Sequence, residues 1–164
     1  MSNGTYSIGL VGPGVMGRNF ARNIADRGFT AAGYDTDAGQ VRELAGVDRV
    51  VAATDRETFI RSLAQPRLVM LLVPAGRAVD AAINEHLPNL DPGDIVVDAG
   101  NSYFKNTNRR SKKLEKTIYS VGVGVSGGEA GPRHGPSIMP GRLREAYERV
   151  RPIFEATAAK VGGI

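Results

Sequence analysis

The segment YSIGLVGPGVMGRNFARNIADRGFTAAGYDTD, residues 6–37, decides the fold. Residues 6–11 form a brief apolar run cut off by glycine, which predicts a buried strand rather than a helix. From Val15 the period changes. Met16, Phe20 and Ile24 recur at helical spacing while Arg18, Arg22 and Asp26 share another face, so an amphipathic helix follows, with Gly28 as its stop. A second strand over residues 29–34 ends at Asp35 and completes strand, glycine turn, helix and strand within about thirty residues, the size of one βαβ unit.

The glycines inside this unit carry chemistry as well as geometry. Gly12, Gly14 and Gly17, within GPGVMG, stand directly after the first strand and at the mouth of the helix. Gly12 permits a tight turn, Gly14 lets a pyrophosphate approach the backbone, and Gly17 lets helix and strand pack closely, while the helix start offers free N–H groups. Pro13, Val15 and Met16 complete the loop that would face a dinucleotide. Asp35 lies eighteen residues beyond Gly17, where a carboxylate accepts hydrogen bonds from ribose hydroxyls and repels a 2′-phosphate. Thr36 and Asp37 follow where an NADP site would want a cationic donor, so NAD(P) is the expected cofactor and NAD is favoured over NADP. Arg42 is a base that would fold back from the next helix.

The alternation continues along the chain. Val41 and Leu44 mark a short helix, residues 50–53 a third strand, and Thr54 with Glu57 the spacing of a capping box for a helix reaching Leu63. LVMLLV over residues 68–73 is the most apolar run and fits a strand covered on both faces. A helix near residues 79–86, a strand at 95–98, a polar helix capped by Ser102 and running to about Lys116, and a strand at 118–123 follow. Parallel neighbours need crossovers, and these crossovers are helices. The expected fold is therefore α/β: a doubly wound Rossmann arrangement, mostly parallel, with helices on both faces, forming one domain over residues 1–164. Beyond Val125 the chain turns glycine-rich, then Leu143, Ala146, Tyr147 and Val150 take helical spacing, with Pro152 starting a further turn.

Composition narrows the function classes. With 164 residues, 41% hydrophobic and 23% charged, the chain suits one globular core. Cysteine is absent, which excludes disulfides, thiolate metal sites and a cysteine nucleophile, and the two histidines, His86 and His134, are too far apart in sequence to form a metal motif. No metal is expected. No secretory start or bilayer-length apolar run is visible, so a cytoplasmic protein with no membrane partner is expected. The net charge is +4, and Lys105, Arg109, Arg110, Lys112, Lys113 and Lys116 form a basic run that is read as a solvated helix face, with no nucleic-acid partner.

Two segments after the fifth and sixth strands remain: DAGNS at 98–102 and the glycine-rich run at 124–141. Asn101 and Ser126 carry neutral donors and acceptors suited to hydroxyls or a carboxylate, and Gly127 and Gly128 can expose N–H groups to an anion. By chemistry alone, both segments fit plain turns equally well.

Taken in order, GLVGPGVMG, LLVPAG at 71–76, DAGNSYFKNTNRR, VGVGVSGGEAGPRHGPSIMPG and RPIFEATAAKV resemble the N-terminal domain of the decarboxylating 6-phosphogluconate dehydrogenases over nearly the whole chain. The resemblance implies oxidation of 6-phosphogluconate at carbon 3, then decarboxylation to ribulose 5-phosphate, with NAD(P) reduced, as in the pentose phosphate pathway. It implies that Asn101, Ser126, Gly127 and Gly128 contact substrate, and that Val73, Pro74 and Ala75, with Asn101, line the nicotinamide half of the cofactor. In the family the general-base lysine and general-acid glutamate follow the equivalent of Ile164, on an all-α domain absent here, so the chain by itself is expected to be inactive. Glu129, Lys105 and His134 are not expected to replace them; Glu129 is expected to order its loop as an acceptor and His134 to hydrogen-bond within it. Family members that use NADP typically carry Asn-Arg-Thr where Asp35, Thr36 and Asp37 stand. The resemblance also implies a homo-oligomer, a dimer in the parent protein, and an apolar face where the helical domain would dock. Two alternatives remain open: a stand-alone nucleotide-binding regulatory module, and the cofactor domain of a 3-hydroxyacid dehydrogenase.

Overall fold

The computed structural model describes residues 4–114, 118–141 and 144–161. Seven strands form one sheet: β1 (Ile8–Val11), β2 (Ala31–Tyr34), β3 (Val50–Ala53), β4 (Leu68–Leu71), β5 (Ile95–Asp98), β6 (Tyr119–Ser126) and β7 (Ser137–Pro140). Their spatial order is β3-β2-β1-β4-β5-β6-β7. The first six run parallel and β7 pairs antiparallel with β6. Among the described residues six α-helices connect them, α1 (Val15–Asp26), α2 (Ala38–Arg42), α3 (Arg56–Ser62), α4 (Arg77–His86), α5 (Phe104–Leu114) and α6 (Gly131–His134), and α7 (Arg144–Thr157) follows β7. The expected doubly wound Rossmann-like sheet is present.

The continuous apolar strands follow from burial on both sides. Along β4, Leu68 and Met70 join Ile8, Leu10, Phe20 and Phe154 in one core, whereas Val69 and Leu71 join Phe59, Val79, Ile83 and Leu114 in the other. Successive side chains point to opposite faces, so a strand covered twice has no position left for a polar residue. α1 and α7 cover the first face; α3, α4 and α5 cover the second.

Several local expectations shift. The first strand starts at Ile8, since Tyr6 forms only an isolated bridge to Leu63. The cap of α3 is Asp55, whose Oδ2 accepts the Thr58 N–H at 2.7 Å, one residue beyond the expected Thr54. Ser102 does not cap α5, because its hydroxyl is taken by Asp98 and Arg110. Pro152 lies inside α7 instead of starting a new turn. A mid-helix proline costs about 3 kcal/mol, but this helix buries Ala146, Val150, Ile153 and Phe154, and large apolar side chains return roughly 1.5–3 kcal/mol each. β7 was not expected at all. Glycine and proline surround it, and Pro140 is tolerated because β7 is an edge strand. Of the basic run, Lys105, Arg109, Lys112 and Lys113 are exposed as expected, but Arg110 is buried. Lys116, Leu143 and residues 162–164 lie outside the described residues.

Two buried polar side chains deserve a physical account. Asn23 on α1 donates through Nδ2 to the carbonyls of Pro132 at 3.0 Å and Thr157 at 2.9 Å, tying α6 and the end of α7 to α1. His86 at the end of α4 stands edge-on to Tyr34 and Phe59, with ring centroids 5.3 and 6.0 Å away, while those two rings stack at 5.2 Å. Its Nδ1 is 2.8 Å from the Ala82 carbonyl, and its buried Nε2 meets no hydrogen-bond partner among the described residues. Burial pushes the His86 imidazole below its ordinary value of 6.5, and the nearby Arg56 charge adds to the effect.

Two outcomes follow. Replacing Asn23 by Leu strands two buried carbonyls and should destabilise the chain by about 2 kcal/mol in denaturant unfolding. Because the unfolded chain binds a proton at His86 more readily than the folded one, stability is retained above about pH 6.5 and falls below it, as acidification approaches the lowered folded value. In His86→Phe that slope between pH 7 and 5.5 should flatten.

Candidate functional site

The sequence-predicted residues converge on one edge of the sheet. In a parallel sheet every strand delivers its C-terminus to the same edge, so the segments after β2, β1, β4, β5 and β6 line up there in that order. Connections from β1 and β4 leave toward opposite sides, which opens a crevice between them.

At the centre is the glycine turn. Gly12 has φ +73°, and a Cβ on it would come within 2.8 Å of Val73 Cγ1, so only glycine allows both the turn and the approach of the next loop. The Gly12 N–H donates to the Tyr34 carbonyl at 3.0 Å, anchoring the turn to β2. Gly17 is buried, with Leu72 Cδ1 standing 3.1 Å from where its Cβ would be. Pro13 is buried, Met16 half-buried and Val15 exposed. A side chain at Gly14 would meet no protein atom within 4 Å, so the backbone at the start of α1 is open to a large anion.

On the β2 side, the three polar residues of the next loop have different tasks. Asp37 caps α2, its Oδ1 accepting the Gly39 N–H at 2.7 Å. Asp35 is half-buried and uses Oδ1 to accept the Asp37 N–H at 2.9 Å, while Thr36 is exposed. Arg42 ends α2, exposed. The basic side chain that reaches α2 is instead Arg18 of α1, whose Nη1 donates to Gln40 Oε1 at 2.9 Å. Sequence reasoning gave Arg18 only a place on the polar face of α1.

On the other side of the turn stand the loops after β4, β5 and β6. Val73 is half-buried, and Pro74 and Ala75 are exposed. Asn101 is exposed with φ +55°, in a turn where Asp98 Oδ1 accepts from the Gly100 N–H at 3.2 Å and the Ser102 hydroxyl at 3.0 Å. A Cβ on Gly100 would lie 2.6 Å from the Val73 carbonyl oxygen, so these two loops touch backbone to backbone. Ser126 ends β6 exposed, and Gly127 and Gly128 follow with φ +130° and +61°. Asn19, a residue the motifs did not single out, holds this last loop beside α1 by donating to the Glu129 carbonyl at 2.7 Å. Glu129 thus orders the loop through its backbone oxygen, while its side chain is exposed. His134, expected in the loop, ends α6.

This edge offers groups suited to binding. Asn101 and Ser126 offer neutral donors and acceptors, and the glycine segments offer N–H groups. Among the described residues no group of three or more His, Cys, Asp or Glu is placed to hold a metal ion. A cavity of about 770 Å³ is lined by Asn101, Ser102, Phe104, Met139 and Glu145 and by none of the glycine-turn residues. No helix among the described residues is long and apolar enough to cross a membrane.

Comparison with known proteins gives a consistent answer. Residues 7–164 match the model of the NAD binding domain of 6-phosphogluconate dehydrogenase. The decarboxylating 6-phosphogluconate dehydrogenase of Chlamydia pneumoniae is 48% identical over 162 residues, covering 96% of this chain and 34% of that protein. The NADP(+)-dependent decarboxylating enzyme of Bacillus subtilis is 48% identical over 160 residues, covering 95% and 34%. Among solved structures, Plasmodium falciparum 6-phosphogluconate dehydrogenase, described in its apo form and in complex with NADP+ or 6-phosphogluconate, superposes with a TM-score of 0.90 at 38% identity, covering 96% of this chain and 35% of its own. The 3-hydroxyisobutyrate dehydrogenase of Salmonella typhimurium shares the fold at a TM-score of 0.80 and 20% identity. The chain spans about a third of the length of the curated relatives it matches. It belongs to the family of 6-phosphogluconate dehydrogenase NAD-binding domains.

Proposed function

We propose that residues 1–164 form one dinucleotide-binding unit that serves the cofactor side of 6-phosphogluconate oxidation and decarboxylation, the step that yields ribulose 5-phosphate in the pentose phosphate pathway. The observation that carries this reading is the open backbone at Gly14, set between Asp35 on one side and Val73 and Asn101 on the other. Gly12, Pro13, Gly14, Val15, Met16 and Gly17 cradle the diphosphate, whose charge is met by the N–H groups at the start of α1. Asp35, Thr36 and Asp37 face the adenosine ribose. Val73, Pro74, Ala75 and Asn101 line the nicotinamide half, and Asn101, Ser126, Gly127 and Gly128 hold the sugar acid beside it. A bound nicotinamide supplies a hydride acceptor. Asn101 and Ser126, the side chains set against the substrate in this reading, are a neutral amide and a hydroxyl that take no proton from a C3 hydroxyl, so the chain alone turns over no substrate.

NAD is preferred over NADP in this reading. With one oxygen of Asp35 held by its own loop and Asp37 committed to capping α2, both carboxylates stay where a 2′-phosphate would sit. Arg18, occupied by Gln40, is a cation that would serve the opposite preference.

Calorimetric titration with NAD and then NADP tests both parts. NAD should bind more tightly; tighter NADP binding would overturn the role given to Asp35, and no binding of either would overturn the site. Gly14→Asp provides an independent check. Its side chain enters free space, so the melting temperature should hold to within about 2 °C, while dinucleotide affinity falls by roughly tenfold or more, about 1.4 kcal/mol. Equal affinity in the variant would remove Gly14 from the site.

A further inference from the structure

Resting on the dinucleotide-binding reading above, we propose that Arg110 is a positioning residue that fixes the two nicotinamide-side loops relative to each other without touching the ligand.

Arg110 sits on α5, within a run of cations, yet it is only 4% exposed. A guanidinium has five N–H donors in a fixed plane and becomes costly when buried with any of them unpaired. Here all five are used. Nη1 donates to Asp98 Oδ2 at 2.9 Å and to the Ser102 hydroxyl at 2.9 Å. Nη2 donates to the Gly76 carbonyl at 2.9 Å and to Asp80 Oδ2 at 3.2 Å, and Nε to Asp80 Oδ1 at 2.9 Å. Arg109 adds two bonds to the same Asp80 carboxylate from the solvent side.

The identity of the acceptors gives this network its meaning. Asp98 and Ser102 bracket Asn101, whose backbone is in the left-handed region. Gly76 closes the segment carrying Val73, Pro74 and Ala75. One rigid planar group therefore holds both loops, and their separation is set by its width. The close approach of Gly100 to the Val73 carbonyl is a second contact between the same two loops and leaves no slack for them to slide. Lysine cannot substitute, because a single ammonium offers three donors from one point and cannot span Asp98, Gly76 and Asp80 together.

The test uses the 164-residue chain with reduced cofactor as probe, whose nicotinamide fluorescence reports how tightly the ring is held. NADH and NADPH are titrated and the tighter one is taken to saturation; ADP affinity, which reads the adenosine side alone, is measured in parallel. Wild type should bind ADP and hold the bound nicotinamide at high anisotropy. Arg110→Lys should leave ADP affinity within about twofold while the anisotropy of the saturated complex drops by about half, since a loosened loop pair loses its preorganisation. Ser102→Ala, which removes one of the five acceptors and leaves the buried charge paired, should move the anisotropy in the same direction by a smaller step and serves if Arg110→Lys does not fold. Unchanged anisotropy in a folded variant overturns the proposal, as does a parallel loss of ADP affinity, which marks a role in the fold alone. A freely rotating nicotinamide in wild type also overturns it while leaving the binding reading intact. Failure of wild type to bind either ADP or dinucleotide instead sinks the binding reading.

Discussion

The parallel pairing of β1 with β4, from Gly9 against Val69 to Val11 against Leu71, places side by side two strands whose onward connections leave the sheet in opposite directions. β1 hands the chain to α1 on one face and β4 to α4 on the other, so their loops part and a crevice opens at the carboxyl edge. Every other feature of the candidate site is arranged around that parting. Gly12 supplies its floor, and Val73 packs against Gly12 on one side and Gly100 on the other, bringing the ends of β1, β4 and β5 into mutual contact. A larger group at either glycine collides with Val73, so close approach here is a steric condition on the whole edge.

Apolar packing alone does not aim loops. The two cores cover the sheet, but the segments beyond the strand ends are held by polar side chains, of which Arg110 and Asn23 are buried and Asn19 half-buried. Arg110 spans the loops after β4 and β5; Asn19 and Asn23 carry α1 to the loop after β6 and to the end of α7. Such groups contribute modest net stability when satisfied, yet losing one partner is costly because the other stays desolvated. That asymmetry makes them geometric constraints: the loops are free to move only by breaking bonds that nothing replaces.

The elements with strong local signals were legible. The strands at 50–53 and 95–98 appear where periodicity placed them, the strands of the βαβ unit and the fully apolar β4 are each two residues shorter than expected, and the glycine turn sits between β1 and α1. Signals of one or two residues were less secure. Thr54 and Asp55 are both competent caps, and only the docking of Phe59 and Ile60 into the core chooses the register that makes Asp55 the cap. Pro152 reads as a helix start until four buried side chains on its own helix outweigh it. β7 is four residues of unremarkable chemistry whose strand character comes from the free edge of β6.

What the sequence determined by itself is everything that depends on neighbours within a few turns of chain: the alternation of strands and helices, the turn at Gly12, the acid at the end of β2, and the family motifs around Asn101 and Ser126. Tertiary structure alone decided which of these motifs share an edge, that Asp37 caps α2 while Asp35 accepts the Asp37 N–H within its own loop, and that one arginine in a basic helix is withdrawn from water. The reason is physical. Periodicity and capping report interactions over three or four residues, whereas the partners of Arg110 lie up to 34 positions away and those of Asn23 more than 100, and no local pattern marks a side chain whose acceptors arrive only when the sheet closes.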